Sequence, residues 1–227
     1  MKKIILSIAI FFALNISSFS HVEHYKKYNY LEYELFRNNT SIGYHKYDFN
    51  RDGKKLSISS EVSFKITKLG VDLYKYFAKS EENYEKGIFK SYFSKTKQNK
   101  KDRYVNIIFD TIDKNLKIDG SSYKGKANIE FIVGTWWNHE IVNSKAQISG
   151  ISGRIIEQTV TFLGKEEVKI GDKTYKTLRF NFKSSDETLP DSKKLNTDIW
   201  YDEETYLLVK AAFEKTGYWE YRLKTYK

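Results

Sequence analysis

Apolar and polar residues alternate along most of this chain, and this alternation constrains its fold more than any other feature. In residues 56–67, the even positions are mostly apolar and the odd positions are all polar. Successive side chains of a β-strand point to opposite faces, so the pattern predicts a strand with one buried and one solvated face. The same period of two returns in residues 178–182 and 219–223.

Residue types that form tight turns separate these alternating runs. Asn38-Asn39, Asp52-Gly53 and Thr216-Gly217 are examples, and turn signals at this spacing predict hairpin after hairpin. We therefore expect an all-β domain with one or two short helices, in which an antiparallel meander of about eleven strands curls into an open or incomplete β-barrel. Thirteen runs are candidate strands, two of them short or merged: 30–37, 42–50, 55–67, 70–84, 88–98, 103–110, 115–119, 155–163, 166–170, 174–183, 195–201, 206–214 and 218–225.

Residues 127–152 form the longest segment without this alternation. The segment contains the stretch G-T-W-W-N-H-E at 134–140, which holds two of the four tryptophans and one of the four histidines. Thr135 is a candidate N-cap for a short helix with Trp137, Ile141 and Ser144 on one side. Irregular insertions on a β scaffold often carry function, so we expect ligand contacts in this segment.

The first twenty residues have the pattern of a secretory signal peptide. Two lysines follow Met1, an apolar run extends over residues 4–16, and small residues stand near Ser20. An apolar run of this length is shorter than the roughly 20 residues of a membrane-spanning helix. We expect cleavage between Ser20 and His21, a single domain over residues 21–227, and a periplasmic or secreted protein. An uncleaved anchor is the alternative.

Composition restricts the cofactors and partners. The chain has no cysteine, which excludes disulfides and thiolate metal sites, and its net charge is +10. Of its 39 cationic residues 33 are lysines, scattered along the whole chain, whereas phosphate and base recognition favours arginine. We therefore predict no nucleic-acid partner, and no motif indicates a cofactor. His21 and His24 are too few ligands for a specific metal site, so we predict none.

No catalytic site is predicted. His139 and Glu140 are adjacent, and neighbouring side chains diverge in a strand or helix, so we do not expect them to form a base and its orienting carboxylate. Ser152 in G-I-S-G lacks the spacing of a nucleophile elbow. His45 shares its strand face with Tyr47 and Phe49, which is typical of a core or rim histidine. A non-enzymatic protein is the expectation, and a hydrolase using His139 is the least favoured alternative.

Aromatic residues are unusually frequent, with 18 Tyr, 15 Phe and 4 Trp. About eleven strands exceed what a self-filled barrel needs, so a cavity that must be lined or covered is expected. Trp136 and Trp137, with their large ring surfaces, suit a lid across such a cavity. We predict that these two residues and His139 lie at its mouth as ligand-binding residues.

Two hairpins resemble a known group of proteins. Residues 194–213, K-L-N-T-D-I-W-Y-D-E-E-T-Y-L-L-V-K-A-A-F, followed by G-Y-W-E-Y-R-L at 217–223, resemble a hairpin of secreted bacterial domains of unknown function. Those domains are similar to LolA/LolB-type lipoprotein carriers, and residues 33–44 and 134–140 share the likeness. The resemblance implies a half-barrel of about eleven strands with short helices over an apolar cavity for acyl chains. Trp200 and Tyr44, from the two hairpins, complete the predicted ligand-binding set.

Several functions are compatible with these features. The leading hypothesis is a periplasmic or secreted binding protein that holds a hydrophobic or amphipathic, lipid-like ligand in its curled sheet. The alternative is an envelope structural or interaction module without a small ligand, whose lysines meet an envelope protein or an anionic membrane surface. An outer-membrane barrel is less favoured, because charged residues such as Lys75 and Lys79 share a face with Val71 and Leu73.

Overall fold

The strands of this protein form one sheet. The computed structural model describes residues 25–227, so the predicted signal peptide and its cleavage site lie outside the described residues, as do His21 and His24. Short 3-10 helices cover His139–Asn143 and Asp191–Lys193. The strands are β1 (Tyr30–Arg37), β2 (Thr40–Asp52), β3 (Lys55–Lys68), β4 (Val71–Glu85), β5 (Ile88–Gln98), β6 (Lys101–Asp110), β7 (Asn115–Gly120), β8 (Lys124–Ala127), β9 (Ile132–Val133), β10 (Ala146–Ile148), β11 (Ile155–Ile170), β12 (Lys173–Ser184), β13 (Asn196–Asp202), β14 (Leu208–Glu214) and β15 (Tyr218–Tyr226).

Almost every strand pairs with its neighbour in the chain. The order across the sheet is β8-β7-β6-β5-β4-β3-β2-β1-β15-β14-β13-β12-β11-β10-β9. All neighbours are antiparallel except β9 and β10, which are parallel, and β1 joins the first half to the last strand, β15. The all-β, largely antiparallel, open sheet is therefore confirmed.

The sheet has to curl because of one connection. Its two edge strands, β8 and β9, are consecutive in the chain and are separated only by residues 128–131. Five Cα steps span at most about 19 Å, whereas the edges of a flat sheet of this width would lie roughly 67 Å apart at about 4.8 Å per strand. The chain therefore brings the two edges together, although β8 and β9 do not pair in the described part of the chain.

A loop seals the gap between these edges. The loop at residues 149–154 leaves β10 and crosses to the opposite half of the sheet, where the Tyr92 hydroxyl donates to the carbonyl oxygen of Gly150 at 3.0 Å. The backbone N–H of Ser122 donates to the carbonyl oxygen of Ser152 at 2.9 Å. The loop comes so close to β7 that a Cβ at Gly120 would lie 2.4 Å from the Ser152 oxygen. Loop contacts thus replace the missing strand ladder.

The interior below the loop is packed. A larger cluster surrounds Trp137, Tyr33, Tyr47 and Phe182, and a smaller one surrounds Ile107 between β6, β7 and β10. Tyrosine hydroxyls in the larger cluster bond to backbone carbonyls, as Tyr33 does to Leu208 at 2.9 Å. Buried tyrosines are thereby satisfied as donors without water.

Two details of the sequence prediction are wrong, and the merging of two runs that it allowed for is observed. The number of strands is fifteen, because β8, β9 and β10 are only two to four residues long and too short to show alternation. The runs at 155–163 and 166–170 form one strand, β11, with a register shift between Phe162 and Gly164. The helix begins after Asn138, whose side chain accepts from the N–H of Glu140, and not after Thr135. Trp136 has a left-handed φ of 61° and interrupts any helix started at Thr135.

We expect Gly120→Ala to destabilise the fold by about 1–3 kcal/mol, because the added methyl group forces the 149–154 loop away from β7. Urea unfolding followed by tryptophan fluorescence measures the loss. The matched control is Lys124→Ala on the neighbouring β8, whose exposed side chain forms an ion pair with Asp119 and lies over the Tyr104 ring but does not contact the loop. An unchanged midpoint for Gly120→Ala would show that the loop does not hold the two edges together.

Candidate functional site

A cavity of about 570 Å³ occupies the half of the curled sheet that the core does not fill. Its wall is the inner face of β2 to β5 with Tyr221 of β15, and its cover comes from residues 134–136 and from the 149–154 loop. It is open to solvent on one side. Residues from these elements that line it include His45, Ser60, Val62, Tyr76, Ala78, Ser80, Tyr92, Ser94, Thr96, Thr135, Trp136, Ser149, Gly150, Ile151 and Arg154.

Small side chains create this space. Ser60 of β3 is paired with Ser80 of β4, and Ser80 is paired with Ser94 of β5, so three serines form one row across the inner face. The next row along the strands consists of Val62, Ala78 and Thr96. On β3 to β5 neither row contains a large side chain, although the rows continue on β2 with Tyr47 and His45, and the hollow lies over the small residues. The cavity is therefore a direct product of residue size at inward positions.

Trp136 is the one member of the predicted ligand-binding set that lines the cavity. Its ring stands edge-on to Tyr221, with 5.7 Å between centroids, and its carbonyl oxygen accepts from the Tyr201 hydroxyl at 2.8 Å. The Tyr47 hydroxyl holds the preceding carbonyl, that of Thr135, at 2.7 Å. The indole Nε1 of Trp136 is buried and has no hydrogen-bond partner in residues 25–227. Two core tyrosines thus fix a donor-bearing ring at the cavity.

Trp137 points the opposite way, into the core, and is 1% exposed. Its ring lies edge-on to Tyr25, Phe49 and Tyr84, with centroid distances of 5.5 to 5.9 Å. Its Nε1 donates to the buried carboxylate of Glu82 at 2.9 Å. The left-handed backbone at Trp136 separates the two indoles, so that one lines the cavity and the other anchors the segment.

The Glu82 carboxyl is the only buried acid that contacts this segment among the described residues. Burial raises its pKa to about 6, although hydrogen bonds from Tyr84, Trp137 and Thr135 oppose the shift by stabilising the charged form. The group is 2% exposed. A carboxylate taken out of water is tolerated because three donors surround it.

His139 lies beside the core and not at the cavity. It begins the 3-10 helix, where its ring stacks on Tyr206 with 4.5 Å between centroids and meets Tyr201 edge-on. Its Nε2 is 3.3 Å from the carboxylate of Glu140. The prediction that these adjacent side chains diverge is wrong, because the tight 3-10 turn lets them approach. The pair is nevertheless outside the cavity lining.

Trp200 and Tyr44 lie on the outer face of the sheet. Strand pairing places Trp200 in one row across the sheet with Arg179, Lys210 and Arg222. Tyr221, the chain neighbour of Arg222, points inward and lines the cavity, so this row points outward. Arg179 and Lys210 cover the Trp200 ring at 4.9 and 4.8 Å, and its Nε1 donates to Glu166. Tyr44 continues the row through Glu34, and its hydroxyl donates to Glu61 at 2.7 Å. Neither residue lines the cavity.

Two features of the cavity go beyond the sequence prediction, which gave His45 only as a core or rim histidine. His45 lines the wall, stacks on Tyr47 at 4.2 Å and shares a hydrogen bond of 2.8 Å with Ser60, and burial lowers its pKa to about 3. Arg154, Lys194 and Lys215 stand at the mouth with Asp191 and Glu214. Partial burial, together with the nearby charge of Arg154, lowers the pKa of Lys215. The mouth thus has an excess of positive charge over a wall of hydroxyls and apolar groups.

No three His, Cys, Asp or Glu side chains converge within residues 25–227 in a way that would hold a metal ion. In the same range, no helix combines the length and the apolar character needed to cross a bilayer.

Comparison with known proteins places the chain in a family. A model for a domain of unknown function, DUF6134, matches residues 33–224. The chain belongs to the DUF6134 family. Its structure is similar to the crystal structure of a beta-barrel-like protein of the domain of unknown function DUF1849 from Brucella abortus. The TM-score is 0.58 at 10% identity, and the match covers 87% of this chain and 96% of that chain. No curated protein sequence matches the chain.

These findings support part of the resemblance described above. Membership of a family of unknown function and a barrel-like fold are confirmed. At 10% identity the similarity between structures concerns the fold alone. The likeness to LolA/LolB-type carriers and the ligand-binding role of Trp136, Trp137, His139, Trp200 and Tyr44 stay predictions.

We expect Glu82→Gln to remove a pH dependence and Glu82→Ala to destabilise the fold. The folded pKa of Glu82 lies above its ordinary value of 4.5, so its contribution favours folding at low pH and declines by about 2 kcal/mol as pH rises through 4.5 to 6. Gln cannot ionise but keeps an acceptor for Trp137. Ala leaves the indole N–H unpaired in a void, at a cost of about 2–4 kcal/mol. Urea unfolding of wild type and both variants across this pH range tests the prediction, and parallel wild-type and Gln curves would contradict it.

His45 is expected to give stability the opposite pH dependence to Glu82, so that its contribution is lost as pH falls. Its folded pKa of about 3 lies below the ordinary 6.5, so the unfolded chain takes up the proton first as pH falls, and stability is lost below 6.5. Between about pH 6.5 and pH 5 the loss attributable to His45 is about 2 kcal/mol. Differential scanning calorimetry of wild type and His45→Gln measures it. A His45→Gln variant that loses stability as steeply as wild type would show that His45 is not buried in neutral form.

Proposed function

We propose that this protein is a non-enzymatic binding protein that holds an amphipathic, lipid-like ligand in the cavity between the inner face of the sheet and Trp136. The observation that carries the proposal is the pair of inward rows of small residues, Ser60, Ser80 and Ser94 beside Val62, Ala78 and Thr96. A volume of about 570 Å³ falls in the usual range for small-molecule sites, about 300–1,000 Å³.

The cost of this hollow supports a role in binding. A Leu or Val at any inward position would contribute roughly 1.5–3 kcal/mol by burial, and the larger cluster shows that this sheet packs such residues well. Small side chains in two adjacent rows forgo that stabilisation. A hollow that is maintained at the expense of stability is typical of a ligand site.

The lining has two chemical parts. Val62, Ala78, Tyr76, Trp136 and Tyr221 provide apolar and aromatic surface on the inside. Arg154, Lys194 and Lys215 provide cations at the mouth, where Lys194 is ion-paired with Asp191 at 3.0 Å and Arg154 and Lys215 stand beside Glu214. This arrangement suits a ligand with a hydrocarbon part inside and an anionic group, such as a carboxylate or phosphate, near the solvent. The aromatic ring of Trp136 contributes apolar surface to the same lining.

Sequence features and the fold support the proposed location and carrier role. A signal-peptide pattern in residues 1–20 suits a periplasmic or secreted protein. An open barrel with a covered cavity is compatible with a LolA/LolB-like carrier of acyl chains, which is an analogy at the level of fold.

We expect dodecanoate to bind the purified mature protein and to quench tryptophan fluorescence saturably. Ala78→Phe fills the hollow and is expected to weaken binding at least about tenfold, since the site loses most of its room. Ser59→Phe adds a ring of the same size at an exposed position of β3 and is the matched control.

Native mass spectrometry and a cationic probe complete the experiment. Dodecyltrimethylammonium has the same chain but the opposite charge, and we expect it to bind at least about tenfold more weakly because the mouth is basic. A bound species of lipid mass in the native spectrum of wild type, absent from Ala78→Phe, supports the proposal. Equal binding by Ala78→Phe and Ser59→Phe, or no binding by either probe, would contradict it.

A further inference from the structure

The β3–β4 hairpin projects beyond the rest of the sheet. Gly43 and Phe64 form the last pair between β2 and β3, and Tyr76 and Gln98 form the last pair between β4 and β5. Residues 65–75 therefore pair only with one another, and we call them the ribbon. The ribbon has four residues on the β3 side and five, with a bulge, on the β4 side, so it extends about 13 Å at roughly 3.3 Å per residue.

The tip of the ribbon exposes apolar side chains without packing them. Leu69 is 95% exposed, Val71 61% and Leu73 56%. Leu69 also has a left-handed φ of 50° in the turn, a position at which hairpins favour Asn or Gly. A leucine there is unfavourable both for the backbone and for hydration. Neither disadvantage is offset within the described part of the chain.

Cationic residues surround this tip. The neighbouring β5–β6 turn is attached to the ribbon, because the N–H of Lys75 donates to the side chain of Asn99 at 2.7 Å and the N–H of Asn99 donates back to the carbonyl oxygen of Lys75 at 2.8 Å. Residues 65–75 and 97–103 together have seven Lys and Arg against Asp72 and Asp102. Apolar residues at the tip of a basic element are the combination that binds anionic lipid surfaces.

We propose that the ribbon docks this protein on an anionic phospholipid membrane, with Leu69, Val71 and Leu73 entering the interface and the lysines contacting headgroups. A second copy of the chain is a poor partner for the same surface, since both copies carry the same positive charge there. The proposal does not depend on a ligand in the cavity. The two are nevertheless adjacent, because Phe64 at the base of the ribbon stacks on Tyr76 of the cavity wall with 4.8 Å between centroids.

The test is co-sedimentation of the mature protein with vesicles of phosphatidylcholine alone and of equal parts phosphatidylcholine and phosphatidylglycerol. We expect binding to the anionic vesicles only, with loss of binding in about 1 M salt, where the Debye length shrinks to about 3 Å. The variant Leu69→Ser/Val71→Ser/Leu73→Ser is expected to bind at least about tenfold more weakly. Its control is Ile112→Ser, which removes a residue that is 89% exposed in the β6–β7 turn.

The contribution of charge is tested separately. The triple variant Lys65→Gln/Lys68→Gln/Lys75→Gln should weaken vesicle binding by about fivefold for each lysine removed. The control changes three exposed lysines outside the ribbon, Lys86, Lys169 and Lys176, to Gln. It lowers the net charge by the same amount and should weaken binding less. Thermal unfolding confirms that each variant is folded. Absence of vesicle binding, equal binding to both vesicles, or equal effects of the two lysine triplets would overturn the proposal. Dodecanoate binding by the Ser variant should be unchanged, which separates this proposal from that for the cavity.

Discussion

The four-residue connection between β8 and β9 is the constraint on which the architecture depends. It forces the two edges of a fifteen-stranded sheet together, and every interior feature follows from the resulting curl. The curl alone does not fix how the inside is filled. Glu82 contributes to that, because its buried carboxylate holds the Trp137 indole and thereby sets where the covering segment crosses the sheet. Trp136 is then directed to the other side, where the hollow lies.

Residue size decides which half of the interior is solid. The packed cluster contains Tyr33, Tyr47, Phe182 and Trp137, and the polar atoms of Tyr33, Tyr47 and Trp137 bond to backbone carbonyls or to Glu82. At the inward positions of β3 to β5 that line the cavity, the side chains are serine, alanine, valine and threonine. Because β3 and β4 also contribute Leu56, Ile58 and Tyr84 to the packed cluster, the strands that line the cavity are held in place by the core.

The sequence allowed the type and order of most strands to be predicted, because long alternating runs have an unambiguous period. It did not allow β9 or β10 to be predicted, since a strand of two or three residues is too short to show an alternating pattern. Tyr44 alternates with Lys46 and Asp48 along β2, and this spacing indicates that it points to the same outer face as they do. The cavity was harder to foresee, because the serine row becomes visible only once the register between β3, β4 and β5 is known.

Pairing of β1 with β15 has a consequence for the way the chain folds. The strand that begins at Tyr30 is completed only by the strand that ends at Tyr226, so the centre of the sheet joins the two ends of the described chain. Non-local pairings of this kind are slow, because a long loop must close before they stabilise anything. Until β15 arrives, β1 and β14 present unpaired edges at the middle of the sheet, which makes an incomplete chain vulnerable to aggregation.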